Sequence, residues 1–164
     1  MIDRQQPLSQ QCISLLRQFY VLLAIVATLA GITIVVLVGA SVTMRYIALT
    51  PFRFTEELVG LLMTTSFFLA LPLVTLNAEH VKVQLVVNAL PRHWQRRVSM
   101  LAALFGVAFT IWFFYLSLPW FEFAYQRTIK TEVGRLLMYP WMAVIPISML
   151  LTSLAFLVRA TGKP

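Results

Sequence analysis

The stretch "FTEELVGLLMTTSFFLALPLVTLNAEH", Phe54 to His80, holds two adjacent glutamates and then 21 residues, Leu58 to Ala78, without Asp, Glu, Lys, Arg or His. An α-helix rises about 1.5 Å per residue, so 20 such residues cross a hydrocarbon core about 30 Å thick. The stretch therefore predicts a membrane helix with carboxylates at its mouth.

Three further stretches have the same character: Gln18 to Met44 (27 residues), Val98 to Phe121 (24) and Leu136 to Val158 (23). The 164-residue chain is 60% hydrophobic and only 12% charged, half the share of about 25% usual in soluble domains. We expect an all-α integral membrane protein forming a single domain, with four transmembrane helices at about 19–44, 58–78, 98–121 and 136–158. No remaining segment is long enough for a soluble domain.

The net charge of +7 would suit nucleic acid, but its placement argues for a membrane instead. With alternating spans, the termini and the middle loop share one side, which holds Arg4, Arg17, Lys82, Arg92, Arg96, Arg97, Arg159 and Lys163, eight of the thirteen bases. The other side holds Arg45, Arg53, Arg127, Lys130 and Arg135, together with Glu56, Glu57, Glu122 and Glu132. Short loops richer in Lys and Arg stay cytoplasmic, so both termini are expected inside. The first apolar run is too long for a signal-peptide core and is expected to remain as an anchor. Cys12 is the only cysteine, which excludes an internal disulfide.

An ionisable residue at the bilayer centre costs about 2.5 to 3.5 kcal/mol on insertion scales and is kept for proton relays, ion coupling or ligand pairing. None of the four stretches contains one. A proton-coupled exporter would need a buried carboxylate; a haem-bearing subunit would need histidines within its spans. The two histidines, His80 and His93, lie in the middle loop. No catalytic, cofactor or metal site is expected.

The uncharged polar residues of the spans, such as Thr64, Thr65, Ser66, Thr110, Ser148 and Thr152, are expected to bond a helix carbonyl, either in the preceding turn or across to a neighbour. Small residues four apart predict close packing: Ala27 and Gly31, Ser66 and Ala70, and Ala102, Gly106 and Thr110. Pro72, Pro140 and Pro146 should bend helices or sit near their ends. Tyr46, Trp120, Tyr125, Tyr139 and Trp141 read as an interfacial aromatic belt.

Thr55 is the natural N-cap for the second helix, with Glu56 and Glu57 in its first turn, where the helix dipole favours acids. Successive helical side chains point about 100° apart. One glutamate is then expected to pair with a base such as Arg45, Arg53, Arg127 or Arg135, and the other to face outward. Two readings of the pair stand side by side: capping with solvation, or docking of a partner at a face containing Arg45, Arg53, Glu56, Glu57, Arg127 and Lys130. At the opposite end, Glu79, His80 and Lys82 precede a short amphipathic segment at about 81–93, expected to lie along the membrane surface. Arg92, Arg96 and Arg97 then meet anionic lipid head groups or a neighbouring subunit.

The string "VTMRYIALTPFRFTEEL" (Val42 to Leu58), an apolar helix, "NAEHVKV" (Asn77 to Val83) and "YPWMAVIPIS" (Tyr139 to Ser148) together resemble the small membrane subunit, the Q subunit, of tripartite ATP-independent periplasmic (TRAP) transporters. Arg45, Tyr46, Glu56, Glu57, His80 and Val83 match that family's pattern; Phe54, Gln84 and Ser148 depart from its tryptophan, aspartate and glycine. The resemblance implies a non-catalytic subunit of the bacterial inner membrane that braces a large membrane transport subunit. It also implies help in docking a periplasmic substrate-binding protein, in a symport system for organic acid uptake. Sodium coupling is expected in the large subunit, with no cofactor in this chain and no nucleic-acid partner. A stand-alone homodimeric carrier and an anchoring subunit of a respiratory complex are the competing classes for the same composition.

Overall fold

The computed structural model describes residues 8–47, 49, 52–77 and 92–160. They form four helices: α1 (Leu8–Ile47), α2 (Thr55–Leu76), α3 (Arg92–Gln126) and α4 (Tyr139–Ala160). Each is long and apolar enough to cross a membrane, and among the described residues the only β-pairing is one isolated bridge, Lys130 to Leu137. The expected interfacial segment at 81–93 lies, up to Pro91, outside the described residues. The fourth helix opens at Tyr139 rather than near 136. Thr131 N–H bonds the Leu136 carbonyl at 2.9 Å, and Met138 N–H bonds that of Ile129 at 3.0 Å. Leu136 to Met138 are thus held in a short hairpin between α3 and α4.

The packing order is α1, α2, α4, α3, each helix lying against the next. α4 is the most covered, with 33% of its apolar window buried against 6% for α1. On α1 the covered positions Leu16, Tyr20, Leu23, Ala27, Ala30, Ile34, Leu37 and Ser41 alternate three and four apart. That spacing keeps one narrow seam on a single side of a helix. Away from this seam Leu22, Ile25, Leu29, Ile32 and Val36 are exposed.

Helix contacts in a bilayer depend on close approach and on hydrogen bonds, because lipid tails are as apolar as the side chains. Gly106 of α3 supplies the approach: a Cβ built on it would lie 2.7 Å from the Phe156 ring of α4, inside van der Waals contact. The covered face of α3 runs through Ala103, Gly106 and Thr110, while Ala102 is exposed. This corrects the expected stripe by one position. Ala103, Gly106 and Thr110 keep the three-four alternation that tracks one face; a strict spacing of four drifts off it.

Most hydroxyls bond the preceding turn, as in Thr28 to Ala24 (2.9 Å), Thr65 to Leu61 (2.9 Å) and Thr152 to Ser148 (2.7 Å). Ser66, Tyr20 and Ser148 cross between helices instead. Ser66 of α2 donates to the Ala27 carbonyl of α1 at 2.9 Å, and Tyr20 of α1 donates to the Leu151 carbonyl of α4 at 2.7 Å. Ser148 of α4 donates to the Phe68 carbonyl of α2. Phe68 is four residues before Pro72, whose ring nitrogen has no proton to offer. The Tyr20 ring, fully buried, packs with Leu76 and Ala155 and gathers Leu16, Leu23, Leu73, Leu151 and Val158 around it. Pro140 is the second residue of α4, where a missing donor costs little; Pro72 and Pro146 lie inside their helices, as does Pro119 of α3.

Candidate docking face

α1 ends and α2 begins at the end of the bundle where α3 passes through the hairpin into α4. Both connections therefore emerge together, and the residues that join them are acidic on one side and main chain on the other. Glu57, in the first turn of α2, accepts the Val133 N–H on Oε1 and the Gly134 N–H on Oε2, both at 2.8 Å. The expected partner for one glutamate was a base; the observed partner is a pair of backbone amides. The reason is geometric: the hairpin turn presents successive N–H groups to a carboxylate whose two oxygens take one each.

Thr131 shapes this turn from within, its Oγ1 accepting the Leu136 N–H at 3.0 Å. Gly134 permits the approach. A Cβ there would come within 3.1 Å of Phe54 Cβ and 3.2 Å of Glu57 Oε2. Arg135 follows with φ of 48°, a left-handed conformation that a residue with a side chain adopts at a cost. Glu57 precedes the charge-free stretch 58–78 and so lies outside the hydrocarbon span. The Gly134 amide, the Thr131 hydroxyl and the Val133 amide, in that order, hold its carboxyl below the ordinary glutamate value by stabilising the charged form.

Thr55 is not the cap. The N-cap position belongs to Phe54, whose φ of −85° and ψ of −6° are already helical, and no side chain bonds the free N–H groups there. Thr55 is one residue inside, buried, and its Oγ1 has no hydrogen-bond partner among the described residues. The Phe54 ring lies against that of Phe52, centroids 5.8 Å apart.

The other expected docking residues surround this junction. Arg45 ends α1, Arg53 lies in the α1–α2 connection, Glu56 is the outward neighbour of Glu57, and Arg127 and Lys130 open the hairpin; all five are exposed. The Arg127 guanidinium sits over the Phe123 ring, 5.9 Å from its centroid. Glu122 accepts from Gln126 one turn on, at 2.9 Å. The residues that sequence reasoning missed are Thr131, Val133 and Gly134, and the one available signal was the glycine in "EVGR". At the opposite end, Arg92, Arg96 and Arg97 fall on the opening turns of α3, whereas Glu79, His80 and Lys82 lie outside the described residues. Among the described residues no three His, Cys, Asp or Glu come together as a metal site.

Four membrane-length helices in this order invite comparison with known families. A family model of the tripartite ATP-independent periplasmic transporters, DctQ component, matches residues 34–162. The chain belongs to the DctQ family. It is a TRAP-type small membrane subunit, a multi-pass membrane protein and not an enzyme. A comparison with individually curated proteins found no match. The DctQ match covers the junction whole, from α1's second half through Glu57, the hairpin and α4.

Proposed function

We propose that this DctQ chain braces the large membrane transport subunit and helps dock a periplasmic substrate-binding protein, within a symporter that takes up organic acids. The observation that carries the bracing role is the use of polar groups inside the bundle. The hydroxyls of Tyr20, Ser66 and Ser148 tie α1 to α4, α2 to α1 and α4 to α2, while the buried hydroxyls of Thr110 and Thr152 bond carbonyls of their own helices; these groups are spent on the bundle itself. The docking role is supported by the exposed charges of Arg45, Arg53, Glu56, Arg127 and Lys130 around one rigid junction. We place both termini in the cytoplasm of a bacterium and the junction on the periplasmic side of the inner membrane, from the distribution of bases. Arg92, Arg96 and Arg97 then face lipid head groups or the large subunit on the inner side, as do Glu79, His80 and Lys82. Sodium coupling belongs to the large subunit.

The test is extraction in mild detergent from cells at native expression, through a C-terminal tag, with mass spectrometry of what co-purifies. A larger polytopic subunit in equal amount, and uptake that requires a soluble binding protein, is the expected result. Recovery as a homo-oligomer alone, with solute flux after reconstitution, would overturn it.

A further inference from the structure

Each oxygen of Glu57 accepts a main-chain N–H of the hairpin tip, so the carboxylate is turned toward the hairpin. The tip itself is exposed: Val133 keeps 54% of its surface, and Glu132 and Arg135 flank it on the outside. A four-residue turn on an aqueous face is ordinarily among the least ordered parts of a fold. Here it is fixed from below by a helix terminus, in a conformation that includes a non-glycine residue at positive φ. We propose that Glu57 is a positioning residue for docking, which holds the 131–136 tip as the element that meets the soluble partner and does not touch that partner itself.

This inference rests on the docking role proposed above and divides the glutamate pair between two duties. Glu56 is available to a partner; Glu57 works inward. Ordering the tip in advance removes a conformational cost that docking would otherwise carry. The same bond makes the tip sensitive to acid, because a protonated carboxyl gives up one acceptor oxygen and its charge. The charged residues next to it in sequence are Arg53 and Glu56, and those next to its hairpin donors are Glu132 and Arg135, while its direct bonds are all to uncharged N–H and O–H groups.

The experiment uses the full chain in complex with its large subunit, in lipid discs, with Cys12→Ser and a nitroxide on Glu132→Cys to report tip mobility. In the parent chain the label should be immobilised at neutral pH and loosen as pH falls through the depressed pKa of Glu57. In Glu57→Gln, and in Gly134→Ala, which crowds the carboxylate, it should be mobile at neutral pH and lose the pH response. Without the label, both variants should assemble normally yet bind the soluble partner at least about tenfold more weakly, the scale set by re-ordering a few residues. An unchanged label in both variants overturns the latch. A loosened tip with unchanged affinity overturns the positioning role. In that case Glu56→Lys decides the underlying reading: weaker binding keeps docking at this face, and unchanged binding removes it.

Discussion

Ser148 donates its hydroxyl proton to the Phe68 carbonyl, the acceptor that Pro72 leaves open by lacking an N–H. A carbonyl without a partner is costly in hydrocarbon, where no water can replace it. One helix thus repairs the defect that a proline makes in its neighbour. Ser148→Ala should destabilise the protein by about 1 kcal/mol, within the range for hydrogen bonds between membrane helices. In a Pro72→Ala background, where residue 72 regains its amide, the same change should cost less. Thermal unfolding of the four proteins in a double-mutant cycle measures the difference.

The contact of Gly106 with Phe156 leaves no room for a methyl group. Gly106→Ala should cost about 1 to 3 kcal/mol through overpacking. Phe156→Leu should recover part of that loss when combined with it. Equal losses in both backgrounds, read from melting curves, would show that the ring was not the obstacle.

Tyr20 joins two effects that can be separated. Tyr20→Phe removes only the bond to the Leu151 carbonyl, with an expected cost of about 0.5 to 1.5 kcal/mol. Tyr20→Ala also empties the space beside Leu76 and Ala155 and should cost about 3 to 5 kcal/mol. Denaturation of the purified protein in matched detergent compares them.

Glu57 should make stability depend on pH with a definite sign. Its folded-state pKa is depressed, so its contribution is present above the unfolded value and is lost as pH falls through the folded one. The melting temperature of the parent protein should drop across that acidic window, and Glu57→Gln should show a shallower slope there and a lower melting temperature at neutral pH.

Charge reversal at Glu56 probes the outer face without touching the hairpin bonds. Glu56→Lys should impair uptake several-fold while leaving subunit assembly intact, as measured by transport assay and co-purification. Uptake equal to that of the parent would remove Glu56 from the docking face.

The helices were legible because each charge-free stretch exceeds the length of a membrane crossing, a signal that survives any detail of packing. The small-residue pairs Ala27 and Gly31 and Ser66 and Ala70 were legible as they stand, but the face of α3 only to within one position, since Ala102 and Ala103 differ by about 100° around the helix and either satisfies a loose spacing rule. The partner of Glu57 was not legible. It lies 76 and 77 residues away and consists of main-chain N–H groups, which every residue but proline carries. Thr55 misled for a related reason: its side chain is an excellent cap by type, but Phe54 adopts helical angles first and leaves Thr55 inside.

The charge-free part of α1, Gln18 to Met44, would measure about 40 Å along its axis, whereas α4 from Tyr139 to Val158 measures about 30 Å. α4 therefore matches the hydrocarbon core when nearly upright, and α1 must lean or emerge from it. A change in bilayer thickness would be absorbed differently by the two helices: α1 by altering its slant, α4 only by deforming the lipid around it. The subunit carries its slack in the helix whose apolar surface is least covered by the rest of the bundle.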